Sequence, residues 1–181
     1  MRDAGISCLQ YRDKQAAPQE ILRNAAIIEL IFADTACMLI LDDRADLAAL
    51  AGWDGVHVGQ HDLSPAGARR VMGLDGVIGL STHNEAQVRD GEESGADYLA
   101  IGPVFATASK ENPDPVVALE GVCVARALTN KPLVAIGGIT RENALSVLAA
   151  GADSVAVISD AIGKDAAETR IRCEEWLALL D

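Results

Sequence analysis

Short apolar runs recur along the chain at 38–41, 55–58, 77–80, 98–101, 133–136 and 154–158, each separated from the next by enough residues for one helix. Runs this short and this continuous predict parallel strands covered by helices, since half-exposed antiparallel strands would alternate. The segment 7–12, within Cys8-Leu9-Gln10-Tyr11-Arg12-Asp13-Lys14, does alternate. As a strand it places Gln10, Arg12 and Lys14 on one face and Leu9 and Tyr11 on the other. With it the count is seven strands.

Three places share a local pattern: Ala51-Gly52-Trp53-Asp54, Ser94-Gly95-Ala96-Asp97 and Ala150-Gly151-Ala152-Asp153. In each an amphipathic run ends in a glycine, as a left-handed helix terminus requires, and an apolar run follows the aspartate, so each reads as a helix-to-strand joint. The alternation predicts either a parallel α/β barrel or an open doubly wound sheet. No G-x-G-x-x-G turn supports the second, so the expected fold is a TIM-type (β/α)8 barrel. A full barrel takes about 200 residues or more, and these 181 residues leave the pattern short of its first βα unit. The expectation is a single barrel domain over 1–181, N-terminally short, with an open seam between 7–12 and 154–158.

Composition narrows the chemistry. Half of the residues are hydrophobic, which suits one large core, and no long uncharged apolar stretch or signal-peptide pattern is present, so the reading is a cytoplasmic protein without a membrane partner. A formal net charge of −12 disfavours nucleic acid as a partner. Small anionic ligands are still compatible, because local cations outweigh a distant field over a Debye length of about 8 Å. Cys8, Cys37, Cys123 and Cys173 are scattered with no C-x-x-C pair, arguing for free thiols rather than zinc or disulfides.

Ligand sites of such barrels lie at the C-terminal strand ends. Those ends carry Gln10, Arg12 and Lys14; Asp42, Asp43 and Arg44; His57, Gln60 and Asp62; Ser81, Thr82, His83 and Asn84; Thr107, Ser109 and Lys110; Gly137 and Gly138; Ile158 and Ser159. Taken singly, Asp62 and Asn84 read equally well as helix caps, and His57 as a core histidine. Together, Asp43 and Asp62 offer hard oxygen ligands for Mg²⁺. Arg12, Lys14 and Lys110 supply positive charge without a general-base partner, which describes a diphosphate clamp. The Gly137-Gly138 turn and Ile158-Ser159, before the last helix, lie where barrels bind a phosphate through backbone N–H groups and a helix N-terminus, a second anion site.

The stretches LQYRDK, DDRADLA, DGVHVGQHDL, GLSTHN, GADYLAIGPVFATASK, VAIGGI and GADSVAVIS, in this order, resemble the thiamine-phosphate synthase family over essentially the whole chain. The resemblance implies a transferase that joins 4-amino-2-methyl-5-hydroxymethylpyrimidine diphosphate to 4-methyl-5-(2-phosphooxyethyl)thiazole, releasing pyrophosphate. It implies a dissociative, Mg²⁺-assisted reaction in which Arg12, Lys14 and Lys110 stabilise the leaving group. By resemblance the pyrimidine diphosphate meets Gln10, Tyr11, Arg12, Asp13 and Lys14, with Asp42, Ser81 and Lys110. Mg²⁺ meets Asp43 and Asp62, and the thiazole phosphate meets Thr107, Ala108, Ser109, Gly138, Ile158 and Ser159. The chain departs from the family pattern at Asp42, usually Asn; at Ala106, usually Pro; and at Glu111, often a second Lys. Two other readings stay open: a related thiazole tautomerase, with His83 as acid or base, and a non-catalytic phosphate-binding barrel. Homo-oligomerisation is also open.

Overall fold

The run Leu39-Ile40-Leu41 is buried throughout, Ile40 to 1% exposure. A strand lying between a barrel interior and a helical layer is buried in this way. It forms the middle of β2 (Met38–Asp42). The other strands are β1 (Cys8–Tyr11), β3 (Gly55–Val58), β4 (Val77–Thr82), β5 (Tyr98–Ile101), β6 (Leu133–Ile136) and β7 (Ser154–Ala156). Helices α1 (Pro18–Phe32), α2 (Ala45–Ala51), α3 (Pro65–Met72), α4 (Glu85–Glu93), α5 (Ala118–Leu128), α6 (Ala144–Ala149) and α7 (Ala166–Leu180) alternate with them. The structure, a computed structural model, describes residues 1–107 and 114–180.

All seven strands pair in parallel in sequence order, with β1 and β7 at the two edges, so the expected TIM-type arrangement of seven strands is present. Among the described residues no ladder joins β1 to β7, and the seam is open as expected. One boundary differs. The last strand was expected to run to Ile158 but stops at Ala156, because Ala156 pairs with Ile136, the end of β6, and the chain there turns through Gly137 and Gly138 at φ 100° and 65°.

The register stacks the inward-facing residues in layers. Gln10, Ile40, Gly55 and Val77 lie side by side. Asp42, His57, Gly79 and Tyr98 form the next layer, and Ser81, Ala100, Val134 and Ser154 the one above. The charged and ring-bearing polar side chains thus fall together in the middle layer, with Ser81 above them.

The three repeated joints close the opposite end. Gly52, Gly95 and Gly151 hold the left-handed backbone at φ 70°, 84° and 110°. The aspartate that follows each one accepts a hydrogen bond from the backbone N–H of the preceding strand: Leu39 N to Asp54 Oδ2 at 2.7 Å, Ile78 N to Asp97 Oδ2 at 2.6 Å and Leu133 N to Asp153 Oδ2 at 2.8 Å. Arg69 and Arg126 pair with Asp97 and Asp153 at 2.6 and 2.7 Å. The repeat thus stitches strand starts together, away from the mouth. Asp97→Ala orphans the Ile78 N–H and takes the carboxylate from Arg69, whose Nη1 keeps the carbonyls of Gly73, Leu74 and Gly76, and is expected to lower stability by about 1–3 kcal/mol in urea unfolding. An unchanged midpoint would show that these groups find other acceptors.

Candidate active site

Side chains of β1 and β2 meet at the mouth through Asp42. Gln10 Nε2 donates to Asp42 Oδ1 at 2.9 Å, and Arg12 Nε lies 3.0 Å from Asp42 Oδ2, so both carboxylate oxygens are engaged. Burial and the neighbouring Asp43 push Asp42 up to about 6, against the pull of Arg12 and Lys14. Asp43 sits in left-handed backbone at φ 63°, donates its N–H to His57 O at 2.7 Å, and holds Lys14 Nζ at 2.9 Å from Oδ2. That bond to Asp43 raises Lys14 above its ordinary value, so Lys14 stays charged.

The rest of the first segment divides by face. Tyr11 points to the helical side, where its hydroxyl accepts from Asn24 Nδ2 at 2.8 Å and its ring meets Trp53 edge-on at 6.3 Å. Asp13 Oδ1 accepts from the N–H groups of Gln15 and Ala16, both at 3.0 Å, which shapes the turn carrying Lys14.

Asp62 is not the cap of α3. Ser64 takes that place, accepting from Gly67 N at 3.2 Å. Asp62 Oδ2 accepts instead from Gly59 N at 2.8 Å and approaches Asp43; burial first, and the Asp43 carboxylate with it, raises its pKa. A Cβ at Gly59 would stand 2.8 Å from Asp62 Oδ2, so glycine admits the carboxylate. Asn84 does cap α4, accepting from Gln87 N at 3.0 Å.

The sequence shows no local Ser–His motif, yet the fold makes such a pair. His57 Nε2 lies 2.8 Å from Ser81 Oγ, and Nδ1 lies 2.8 Å from Tyr98 Oη. His57 is therefore a buried histidine, 7% exposed, that also touches the candidate site. Sequence reasoning missed Tyr98. The signal was Gly79, a glycine inside an apolar strand, which marks a close approach by another group. Gln60 Nε2 donates to Ser81 O at 2.6 Å and holds the serine backbone. His83 has Nδ1 at 2.6 Å from Gly102 O and Nε2 at 3.4 Å from Asp114 Oδ2.

At the second anion site the structure corrects one expectation. α7 begins only at Ala166, so its N-terminus is not beside Ser159. Ile158 and Ser159 instead open an exposed turn in which Ala161 and Ile162 donate to Ile158 O at 3.1 and 3.0 Å. Gly138 packs so closely that a Cβ would lie 2.6 Å from Ala106 O, which brings the β6 turn against the segment leading to Thr107. Ala108, Ser109, Lys110 and Glu111 lie outside the described residues. Among the described residues no group of three or more His, Cys, Asp or Glu side chains is placed to hold a metal, and no helix is long and apolar enough to cross a membrane.

A parallel β/α barrel with its charged and hydrogen-bonding side chains gathered at one mouth defines the class, a TIM-type enzyme. A family model described as thiamine monophosphate synthase matches residues 1–161. The thiamine-phosphate synthase of Koribacter versatilis is 53% identical over 176 residues, covering 97% of this chain and 81% of that one. The thiamine-phosphate synthase of Caldicellulosiruptor bescii is 41% identical over 165 residues, 91% of this chain and 75% of its own. The solved thiamine phosphate pyrophosphorylase of Pyrococcus furiosus superposes with a TM-score of 0.87 at 31% identity, over 99% of this chain and 86% of that one. The chain belongs to the thiamine-phosphate synthase family, transferases that condense the pyrimidine diphosphate with the thiazole phosphate to thiamine phosphate.

Burial lowers His57 to about 4. Between its unfolded value near 6.5 and that folded value, the unfolded chain binds a proton that the folded chain refuses. Its contribution to stability is complete above the unfolded value and is lost as pH falls toward the folded one. The loss is expected to be about 2–3 kcal/mol by pH 4 and to be absent from His57→Gln, measured as the difference in unfolding free energy between pH 7 and pH 4.5. Asp42, raised to about 6, works with the opposite sign over part of this window. The two proteins share Asp42, so their difference isolates His57; equal slopes would show that folded His57 takes up the proton.

Proposed function

We propose that this mouth carries out the family reaction with the pyrimidine diphosphate over β1, β2 and β4 and the thiazole phosphate over the turns after β5, β6 and β7. The observation that carries the assignment is the double engagement of Asp42, which aligns Gln10 and Arg12 while Asp43 fixes Lys14. Gln10 is the amide for the pyrimidine edge. Arg12 and Lys14, joined by Lys110, meet the diphosphate. Ser81 adds a hydroxyl, and Tyr11 and Asp13 contribute through backbone and turn shape rather than side-chain charge. Thr107, Ala108, Ser109 and Gly138, with Ile158 and Ser159, receive the thiazole phosphate through backbone N–H groups and hydroxyls.

The chemistry these residues favour is departure of pyrophosphate before capture of the pyrimidinylmethyl cation by the thiazole nitrogen. Negative charge grows on the leaving group, and cations already held in place stabilise it without reorganising. Anchoring the remote phosphate orients the ring nitrogen and supplies the entropic part of the rate. No protein nucleophile is needed.

Asp43 and Asp62 fit a hard divalent cation: two carboxylates brought close enough to raise the pKa of one are the oxygen donors Mg²⁺ takes alongside phosphate oxygens. Mg²⁺ held there would supply Lewis-acid neutralisation of the diphosphate. Lys14 Nζ holds Asp43 in place at 2.9 Å, and the Gly59 N–H holds Asp62 at 2.8 Å.

Arg12→Ala is expected to lower kcat for thiamine phosphate formation by about 10²–10³ with the folded state intact, and Lys110→Ala likewise; normal turnover at saturating substrate removes both from the clamp. Asp43→Asn and Asp62→Asn should each raise the Mg²⁺ concentration for half-maximal rate. A metal titration unchanged in both would leave these carboxylates a purely structural role.

A further inference from the structure

A serine hydrogen-bonded to a histidine invites a nucleophilic reading, in which Nδ1–H donates to a carboxylate and Nε2, unprotonated, takes the serine proton. Here the group at Nδ1 is a phenol. Tyr98 Oη lies 2.8 Å from His57 Nδ1, and His57 Nε2 lies 2.8 Å from Ser81 Oγ. The approach is built into the sheet. Gly79 stands between His57 and Tyr98 in register, and a Cβ there would fall 2.3 Å from Tyr98 Oη and 2.4 Å from His57 Nδ1. Only glycine leaves the gap through which the phenol reaches the imidazole.

The direction of these bonds follows from proton counting. Burial raises the Tyr98 phenol well above its ordinary value, so its proton stays on oxygen. Among the described residues that hydroxyl has one hydrogen-bond partner, His57 Nδ1. A buried O–H left without an acceptor costs about 1–3 kcal/mol, so the phenol donates and Nδ1 is the acceptor. A neutral imidazole has one N–H, which is then on Nε2 and donates to Ser81 Oγ. The serine oxygen is thereby an acceptor below, and its own hydrogen is left to be donated upward into the mouth.

We infer that Tyr98 and His57 are positioning residues that set Ser81 as a hydrogen-bond donor to the anionic diphosphate, with a polarity opposite to that of a nucleophilic Ser–His pair. The inference rests on the placement of Ser81 against the diphosphate proposed above. A hydroxyl free to rotate divides its time between donating and accepting, whereas a fixed donor meets growing negative charge already oriented.

The test begins with the unaltered protein. The chain has three histidines, so uniform ¹⁵N-histidine labelling with His57→Gln for assignment gives the His57 tautomer from two-bond ¹H–¹⁵N correlations. The Nε2–H form is expected, shifting toward a mixture in Tyr98→Phe; a predominant Nδ1–H form in the unaltered protein overturns the inference. In the assay, Tyr98→Phe should lower kcat about tenfold, as loss of one oriented hydrogen bond does, with KM for the thiazole phosphate unchanged. In a Ser81→Ala background the same change should add nothing further. Full additivity of the two substitutions overturns the inference. Normal turnover by Ser81→Ala overturns the placement of Ser81 itself, and is told apart because the spectrum would still show the Nε2–H form.

Discussion

The site depends on one carboxylate being shared. Asp42 stands at the end of β2 with its two oxygens committed to residues of β1, the Gln10 amide and the Arg12 guanidinium. A buried carboxylate with unsatisfied oxygens would be costly, and a guanidinium at an exposed strand end would be free to swing into solvent. Each removes the other's penalty. The pairing also makes the parallel register of the two strands matter for chemistry, since a slip by one residue would turn Gln10 and Arg12 to the helical side. The added negative charge at a position where the family usually has Asn is thus met by a cation before any substrate arrives.

The two ends of the barrel divide stability from function, as parallel barrels generally do. At the base each aspartate of the three repeated joints accepts a strand N–H on Oδ2, and in Asp97 and Asp153 the same oxygen also meets an arginine. At the top, Asp42, Asp43 and Asp62 are held against cations and one another, with the pKa of Asp42 and of Asp62 raised. The same residue type therefore serves as a strand tie at one end and as a tunable charge at the other. At the mouth the shift comes from burial and from the neighbouring Asp43 carboxylate.

Net charge gives little guidance to the ligand. A chain carrying −12 overall gathers Arg12 and Lys14 at a single strand end, where short contacts to Asp42 and Asp43 fix them. Local geometry over a few ångströms outweighs a field that salt screens within about 8 Å.

The strands, their parallel order and the barrel class were legible in the sequence, because a continuous apolar run of four residues has few other places to be buried and because the glycine–aspartate joints punctuate the helices. That Gln10 and Arg12 share one face followed from the two-residue period; that this face is the barrel mouth was what the family resemblance implied. What the three aspartates of those joints bind was not legible, since their acceptors serve N–H groups 15 to 20 residues away. Nor was the release of Asp62 from helix capping, which turned on Ser64 taking the cap. The union of Tyr98, His57 and Ser81 comes from three different strands and depends on the gap at Gly79. Periodicity fixes which face a side chain takes; only the lateral register of neighbouring strands decides whom it meets there.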